Sequence, residues 1–183
     1  FEPEINNYTP KKSVYFAFID VLGFKKAFDD NRHKDDFQKE DHFAEKFRDV
    51  FTYYFDLMNS ANFMKIGRNL CYAGQTSDSL YFYTERADFL IDFLKIFSHL
   101  NIYAMTRDVF FRGGIANGNL FCKEKYQFYG ESVIYAYLLE SEISKNPIIV
   151  IDENTYDALT SIFPDSGKLI SERGGRHYIK PFA

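Results

Sequence analysis

The sequence predicts an α+β fold in which helices pack on one or both faces of a mostly antiparallel sheet. Short runs rich in β-branched and aromatic residues alternate with longer segments whose apolar residues recur every three or four positions. Two of the short runs flank the stretch from Gly74 to Asp78, which is typical of a hairpin. The resulting order β-α-β-β-α-β-α-β-α-β fits a single domain across residues 1–183.

The first half of the chain is predicted to contain a strand, a helix, a hairpin and a second helix. Each helix is predicted from apolar residues that form one stripe along the segment. The charged segment 29–41 is interpreted as a solvated loop or insertion. The predicted elements are a strand at 13–19, a turn at Gly23, a helix at 42–58, hairpin strands at 70–73 and 80–83, and a helix at 85–100.

The second half is predicted to alternate strands with shorter helices. Gly113 and Gly114 lie inside an apolar, β-rich run, so this strand is predicted in two pieces. The predicted elements are strand pieces at 109–111 and 115–121, a helix at 130–143, a strand at 148–151, a helix at 154–162 and a last strand at 176–182.

Composition narrows the class of protein. Apolar residues make up 46% of the chain and charged residues 26%, as in globular proteins. The net charge is −4, so no nucleic acid is expected as a ligand. No apolar run approaches the ~18 residues of a membrane helix, so no membrane is expected as a partner. Cys71 and Cys122 lack metal-ligand spacing and are interpreted as reduced core thiols, which favours a cytoplasmic location.

Two acidic residues are notable for their positions. Asp20 ends a strand that carries no other charge, and Asp78 lies at the tip of the predicted hairpin. Either residue alone is more often a turn former or a helix cap. If the hairpin lies beside the first strand, the two carboxylates repel each other unless a proton or a cation lies between them. Carboxylates, a backbone carbonyl and phosphate oxygens suit Mg²⁺ or Mn²⁺.

Five blocks of sequence resemble, in order, the motifs of the class III nucleotide cyclases. The resemblance implies a ferredoxin-like βαββαβ core with additions. It also implies a head-to-tail homodimer with active sites at the subunit interface. The blocks are 18–24 (Phe-Ile-Asp-Val-Leu-Gly-Phe), 77–79 (Ser-Asp-Ser), 112–118 (Arg-Gly-Gly-Ile-Ala-Asn-Gly), 129–133 with 139–141 (Tyr-Gly-Glu-Ser-Val and Leu-Glu-Ser), and 149–156 (Ile-Val-Ile-Asp-Glu-Asn-Thr-Tyr).

The chemistry implied by this resemblance is attack of the ribose 3′-hydroxyl on the α-phosphate, which expels pyrophosphate. Two metal ions activate the attacking oxygen and stabilise the leaving oxygen. By resemblance, Asp20 and Asp78 bind both Mg²⁺ or Mn²⁺ ions, with help from the carbonyl of Val21. The backbone N–H groups expected to bind the phosphates are those of Leu22, Gly23 and Phe24.

The sequence departs from the family pattern at positions that matter for the reaction. Purine cyclases read the base at two positions, which here are Gly74 and Gln127, so ordinary adenine or guanine selection is not expected. The family Asn and Arg of the third helix correspond to Ile134 and Leu138. Losing a group that stabilises transition-state charge costs roughly 3–4 kcal/mol. Arg112 is the candidate catalytic cation, with a purely structural role as the alternative.

A divergent branch fits these features, because the motifs resemble the small stand-alone pyrimidine cyclases of bacterial anti-phage defence. The predicted function is conversion of CTP or UTP to the cyclic monophosphate, which acts on a separate effector. Gln127 is expected to contact the base, and its amide suits either pyrimidine. Tyr126, Phe128 and Tyr129 fill the space of a purine or, alternatively, pack in the core or the dimer. The alternative function is a catalytically inactive module that binds nucleotide or dimerises.

Overall fold

The computed structural model of the chain describes residues 8–26, 29, 37–61, 65, 70–123 and 127–180. The strands are β1 (Thr9–Val21), β2 (Cys71–Thr76), β3 (Ser79–Thr84), β4 (Phe111–Lys123), β5 (Gln127–Tyr129), β6 (Ile149–Ile151), β7 (Ile170–Glu172) and β8 (His177–Ile179). The helices are α1 (Phe37–Ser60), α2 (Ala87–Met105), α3 (Glu131–Leu138) and α4 (Glu153–Ile162), with a π-helical turn (Leu139–Ile143) and a 3₁₀ helix (Pro164–Lys168).

The strands form one sheet in the order β2-β3-β1-β4-β6-β8-β7, and β5 pairs with β4 outside this order. The pairing of β4 with β6 is parallel, and the other pairings among the described strands are antiparallel. The sheet is therefore mostly antiparallel with packed helices, and the predicted α+β class is confirmed. The predicted hairpin is β2 and β3, and it lies directly beside β1.

The central strands β1 and β4 separate two cores, because successive side chains of a strand point to opposite faces. Ala17 and Ile19 of β1 face the larger core, which includes residues of α1, α2 and α4. Phe16 faces a smaller core that is covered by α3. Asp20 is an even-numbered residue like Phe16, so its side chain lies on the α3 face of the sheet. This alternation places the acidic end of β1 on the side of α3.

Two glycines of β4 allow close approach of neighbouring backbone. A Cβ on Gly114 would lie 2.2 Å from the carbonyl oxygen of Ala136 in α3. A Cβ on Gly113 would lie 2.6 Å from the carbonyl oxygen of Phe18 in β1. The prediction of two strand pieces is therefore wrong: β4 is continuous, and its glycines admit a helix and a strand instead of breaking the sheet.

Two helices are longer than the sequence patterns predict. Helix α1 begins at Phe37, so the loop predicted at 29–41 is wrong from residue 37 onward. The Gln, Lys and Glu residues there are strong helix formers, so a charged composition alone does not distinguish a helix from a loop. Helix α2 continues past residue 100 to Met105, because Ala104 extends its buried face.

The helix predicted at 130–143 consists of α3 and the π-helical turn. The backbone N–H of Ser144 donates to the carbonyl of Leu139 at 2.9 Å, a spacing of five residues that an α-helix does not make. Strands β5 and β7 have three residues each, too few for a pattern of alternation, and neither was predicted. Strand β8 ends at Ile179, and residues 181–182 of the predicted last strand lie outside the described residues.

Within the described ranges, no helix is long and apolar enough to cross a bilayer. Cys71 and Cys122 are both buried thiols outside any disulfide, as the sequence predicted.

Candidate functional site

Asp20 lies at the end of β1 between the two neighbouring strands. It pairs with Ser79 of β3 on one side and with Arg112 of β4 on the other. The Ser79 hydroxyl donates to Oδ1 at 3.0 Å, and Arg112 Nη2 lies 3.5 Å from Oδ2. The Asp20 side chain is 18% exposed. Both carboxylate oxygens therefore have a partner, but the site is open to solvent on one side.

Asp78 occupies the two-residue loop between β2 and β3. Ser77 adopts the left-handed backbone conformation with φ 55°, and its carbonyl accepts a hydrogen bond from Gln75 Nε2 at 2.7 Å. Asp78 directly precedes Ser79, the cross-strand partner of Asp20. The hairpin that carries Asp78 therefore lies beside the end of β1 that carries Asp20.

The pKa of Asp20 is affected by its burial and by the groups around it. Burial raises the pKa of its carboxyl most, and the negative charge of Asp78 raises it further. The hydrogen bond from Ser79 and the charge of Arg112 act in the opposite direction without cancelling the rise. A cation between the two carboxylates would relieve the repulsion and favour the ionised form.

Glu140 is a residue of this cluster that the sequence analysis did not assign. Its carboxylate is 4% exposed, and Oε1 lies 2.6 Å from Arg112 Nε. The contact is an ion pair without the alignment of a hydrogen bond. Burial raises the pKa of Glu140, while Arg112 lowers it. Arg112 is thus shared between Glu140 and Asp20. The Leu-Glu-Ser block contained this residue, but only the packing of α3 shows its partner.

The backbone beyond Asp20 is partly committed to the sheet. The N–H of Leu22 donates to the carbonyl of Phe110 at 2.8 Å, so it is not available to a phosphate. In an antiparallel ladder the N–H and C=O groups of successive residues point to opposite sides. The carbonyl of Val21 therefore points away from β4, towards the β2–β3 hairpin that carries Asp78.

Gly23 follows in an exposed turn, and a short helical segment begins at the half-buried Phe24. Gly23 has φ 79°, and a Cβ there would meet no atom of the described residues within 4 Å. The ring of Phe24 packs edge-on against Phe47 of α1, with ring centroids 4.9 Å apart. The side chain of Phe24 is therefore part of the core, and only its backbone can serve the phosphate role predicted for it.

The predicted base-reading position on β2 has no room for a side chain. Gly74 pairs with Tyr81 of β3. A Cβ on Gly74 would lie 2.5 Å from both Cζ and the hydroxyl oxygen of Tyr81. The Tyr81 ring thus covers the position from which a longer side chain would extend.

The second base-reading position, Gln127, lies exposed on β5. The next residue, Phe128, packs against Phe16 and Tyr81 with ring centroids 5.2 and 5.0 Å apart. Phe128 therefore belongs to the core, which is the alternative that the sequence left open for it. Tyr129 is 47% exposed, and Tyr126 lies outside the described residues.

The outer face of α3 is apolar and exposed. Ile134 and Leu138, at the positions of the family Asn and Arg, are 56% and 37% exposed. Tyr135 and Tyr137 between them are half exposed. Ile134 also lines a cavity of about 380 Å³ with Tyr129 and residues of β4 and β5. Exposed apolar patches of this kind mark interaction surfaces.

No group of three or more His, Cys, Asp or Glu side chains with metal-binding geometry occurs among the residues that the structure describes. The Asp20–Asp78 pair is therefore not a complete protein-only metal site. Its oxygen donors suit a small cation that retains water or substrate oxygens as further ligands.

The raised pKa of Asp20 predicts a pH-dependent gain in stability for Asp20→Asn without divalent cations. A raised pKa means that the stabilising contribution is complete below the ordinary value of 3.8 and is lost as the pH rises through the folded-state value. Asp20→Asn should therefore raise Tm at pH 7, and the gain should shrink towards pH 4. Thermal unfolding in a chelator measures both.

Asp88→Asn is the matched control with the opposite sign. Arg86 lowers the pKa of Asp88, so the loss of this carboxylate should reduce Tm at pH 7 and not at low pH. A Tm for Asp20→Asn at or below that of the unchanged protein at pH 7 would contradict the account of the site.

Solved structures that are similar to this chain include nucleotide cyclase domains. One is the catalytic core of a rhodopsin-guanylyl cyclase with converted specificity in complex with ATPαS (TM-score 0.62, 19% identity, 94% of this chain and 98% of that one). Another is the non-canonical dimeric guanylyl cyclase domain of the RhoGC fusion protein from Blastocladiella emersonii (TM-score 0.58, 18% identity, 93% and 97%). A third is the adenylyl cyclase CyaB from P. aeruginosa (TM-score 0.56, 16% identity, 94% and 94%).

No family model matches this chain, and no curated protein sequence matches it significantly. The sequence identities to the solved structures are low, so these likenesses concern the fold alone. The described part of this chain has the fold of a class III nucleotide cyclase catalytic domain, as its five sequence blocks predicted.

Proposed function

We propose that this protein is a nucleotide cyclase that converts a pyrimidine nucleoside triphosphate, CTP or UTP, to its 3′,5′-cyclic monophosphate and pyrophosphate. The observation that carries the proposal is the position of Asp20 at the end of an inner strand of a cyclase-fold sheet, beside the hairpin whose Asp78 acts on it electrostatically. A buried carboxylate whose pKa is raised further by a neighbouring negative charge is unfavourable in a purely structural role, so the retention of Asp20 beside Asp78 favours a cation-dependent reaction.

Two Mg²⁺ or Mn²⁺ ions would be held by the carboxylates of Asp20 and Asp78 and the carbonyl of Val21. The donor set fits such ions, because every donor is oxygen and the carbonyl points towards the hairpin. When bound, the ions supply activation of the attacking 3′-oxygen and charge stabilisation on the leaving oxygen. Ser79 fixes the orientation of the Asp20 carboxylate through its hydrogen bond to Oδ1.

The chain's own groups would also orient the substrate. The backbone of Gly23 and Phe24 lies just after β1, next to the proposed cation site, and is suited to phosphate oxygens. Arg112 provides positive charge beside Asp20 and is proposed to offset charge on the transferring phosphate. Arg112 also lies beside the carboxylates of Asp20 and Glu140, and these contacts are equally compatible with the purely structural role given as the alternative.

The base site supports a pyrimidine over a purine. Tyr81 fills the space above Gly74, where a purine-reading side chain would extend. Gln127 at the second position is exposed and carries both a hydrogen-bond donor and an acceptor. The Tyr81 ring narrows the base site, and the Gln127 amide offers a single polar group, so both features favour the smaller pyrimidine base.

We propose that the protein acts as a homodimer with its sites at the interface. The apolar outer face of α3 lies directly before Glu140 in the chain, so its burial by a second copy would enclose the metal end of the site. The roles in anti-phage defence and through a separate effector rest on the sequence resemblance, and the cytoplasmic location rests on the interpretation of Cys71 and Cys122 as reduced thiols.

A second candidate function is an inactive module that binds nucleotide or dimerises. The exposed Ile134 and Leu138 favour it, because neither can orient a ribose or stabilise charge. Tight nucleotide binding without product would identify this alternative.

We expect the purified protein to form cyclic product from CTP or UTP with Mn²⁺ when each of the four NTPs is assayed separately. Asp20→Ala and Asp78→Ala should each reduce turnover by at least about a hundredfold, because each removes an ion ligand. Chromatography with mass detection of the nucleotides measures the product.

Asp165→Ala is the control for these variants, since it removes an exposed carboxylate paired with Lys168 on the 3₁₀ helix. It should retain full activity. The proposal fails if CTP and UTP both remain intact, and the two-ion assignment fails if either aspartate variant stays active.

We expect Tyr81→Leu to raise turnover of purine relative to pyrimidine triphosphates by about tenfold, because it removes the ring atoms above Gly74. Tyr83→Leu is the matched control: Tyr83 lies two residues along the same face, stacked at 6.2 Å on Phe16, and pairs with Tyr72 instead of Gly74. An unchanged ratio in Tyr81→Leu, or an equal change in both variants, would refute this role.

We expect Ile134→Asp to convert the homodimer to a monomer, because it buries a charge in the proposed interface. Light scattering after size exclusion measures the mass. Ile162→Asp is the control, since Ile162 is 50% exposed at the end of α4 and should leave the dimer intact. A monomeric unchanged protein, or a dimeric Ile134→Asp variant, would overturn the assignment.

A further inference from the structure

The burial of the Glu140 carboxylate depends on the positive charge of Arg112. Its residue exposure is 3%, and the cation in contact with it within the described ranges is Arg112, at 2.6 Å through Nε. Lys145 acts on it only at longer range and donates instead to the backbone carbonyl of Ser141. A buried carboxylate without a counter-ion is strongly unfavourable. The position of Glu140 therefore depends on Arg112.

The geometry of Arg112 shows that the position of its guanidinium depends in turn on Glu140. A guanidinium tends to form a two-point ion pair with a single carboxylate. Here the group is divided, with Nε against Glu140 and Nη2 3.5 Å from Asp20, at the outer limit of a hydrogen bond. Glu140 thus draws the guanidinium away from Asp20.

The backbone makes this division rigid. Residue 140 follows α3, and α3 contacts the backbone of β4 at Gly114, two residues from Arg112. The packing of the helix on the sheet therefore fixes the backbone of Glu140 relative to that of Asp20. The two carboxylates approach Arg112 from these separate backbone positions, one from each side.

We propose that Glu140 is a positioning residue for the cation site, because it holds Arg112 back from a two-point pair with Asp20 and so keeps the Asp20 oxygens available to a divalent cation. The inference rests on the proposed function for the presence of that cation. Glu140 itself need not touch the cation or the substrate.

The test is Mn²⁺ affinity of the full chain, measured by electron paramagnetic resonance of free Mn²⁺. Glu140→Gln is expected to weaken binding by about tenfold. Glu142→Gln removes the same charge from an exposed residue of the same π-helical turn, and it should change affinity by about twofold or less because its charge is screened. Equal weakening by both variants would show a general charge effect and overturn the proposal.

Glu140→Asp separates position from charge, since it keeps the carboxylate but shortens its reach to Arg112. It should behave like Glu140→Gln, and an affinity equal to that of the unchanged protein would overturn the proposal. In an Arg112→Gln background, Glu140→Gln should have about a twofold effect or less, because it acts through Arg112. An undiminished effect there would also overturn it.

A second measurement needs no metal. The ¹⁵N NMR signal of the Arg112 Nε–H, assigned by its loss in Arg112→Gln, should shift or broaden in Glu140→Gln and not in Glu142→Gln. An unchanged signal would refute the positioning role. The proposed metal site fails separately, if Asp20→Asn leaves Mn²⁺ affinity unaltered, and the arginine signal still decides whether Glu140 positions Arg112.

Discussion

The direct contact of α3 with the backbone of β4 is the constraint on which the site depends. A Cβ on Gly114 or Gly118 would lie within 2.8 Å of the helix backbone, so any side chain there would push the helix off the sheet. Because α3 packs directly on β4, the residues at its C-terminal end approach Arg112. The opposite face of α3 carries the exposed apolar residues. One contact therefore sets both the charge cluster and the proposed interface.

The features that could be predicted from the sequence depend on local signals. Asp20 was identified because an uncharged apolar run stops at it, and Asp78 because turn residues separate two β-rich runs. Both signals lie within a few residues of the side chain in question. The placement of the two segments side by side required only that the hairpin pair with the first strand, which is the common arrangement for neighbouring elements of a sheet.

The features that could not be predicted depend on contacts between distant segments. The partner of Glu140 is 28 positions away in the chain and is brought near only by the packing of α3. The absence of a long side chain at Gly74 was evident in the sequence, but the ring of Tyr81 above it follows from the strand register. The glycines of β4 were interpreted as breakers because their helix and strand neighbours are invisible in a local pattern.

The π-helical turn also determines which way the end of the helix faces. Ser132, Ala136, Glu140 and Ser144 are all buried against the sheet, at a constant spacing of four residues. In a regular α-helix each such step overshoots a full turn by about 40°, so a row of four would wind around the axis by about 120°. A turn closed by a five-residue hydrogen bond holds more residues and reduces this angular drift. The reduced drift keeps Ser144 on the sheet side, where its hydroxyl oxygen accepts a hydrogen bond from the backbone N–H of Gly113 at 3.4 Å, one residue from Arg112.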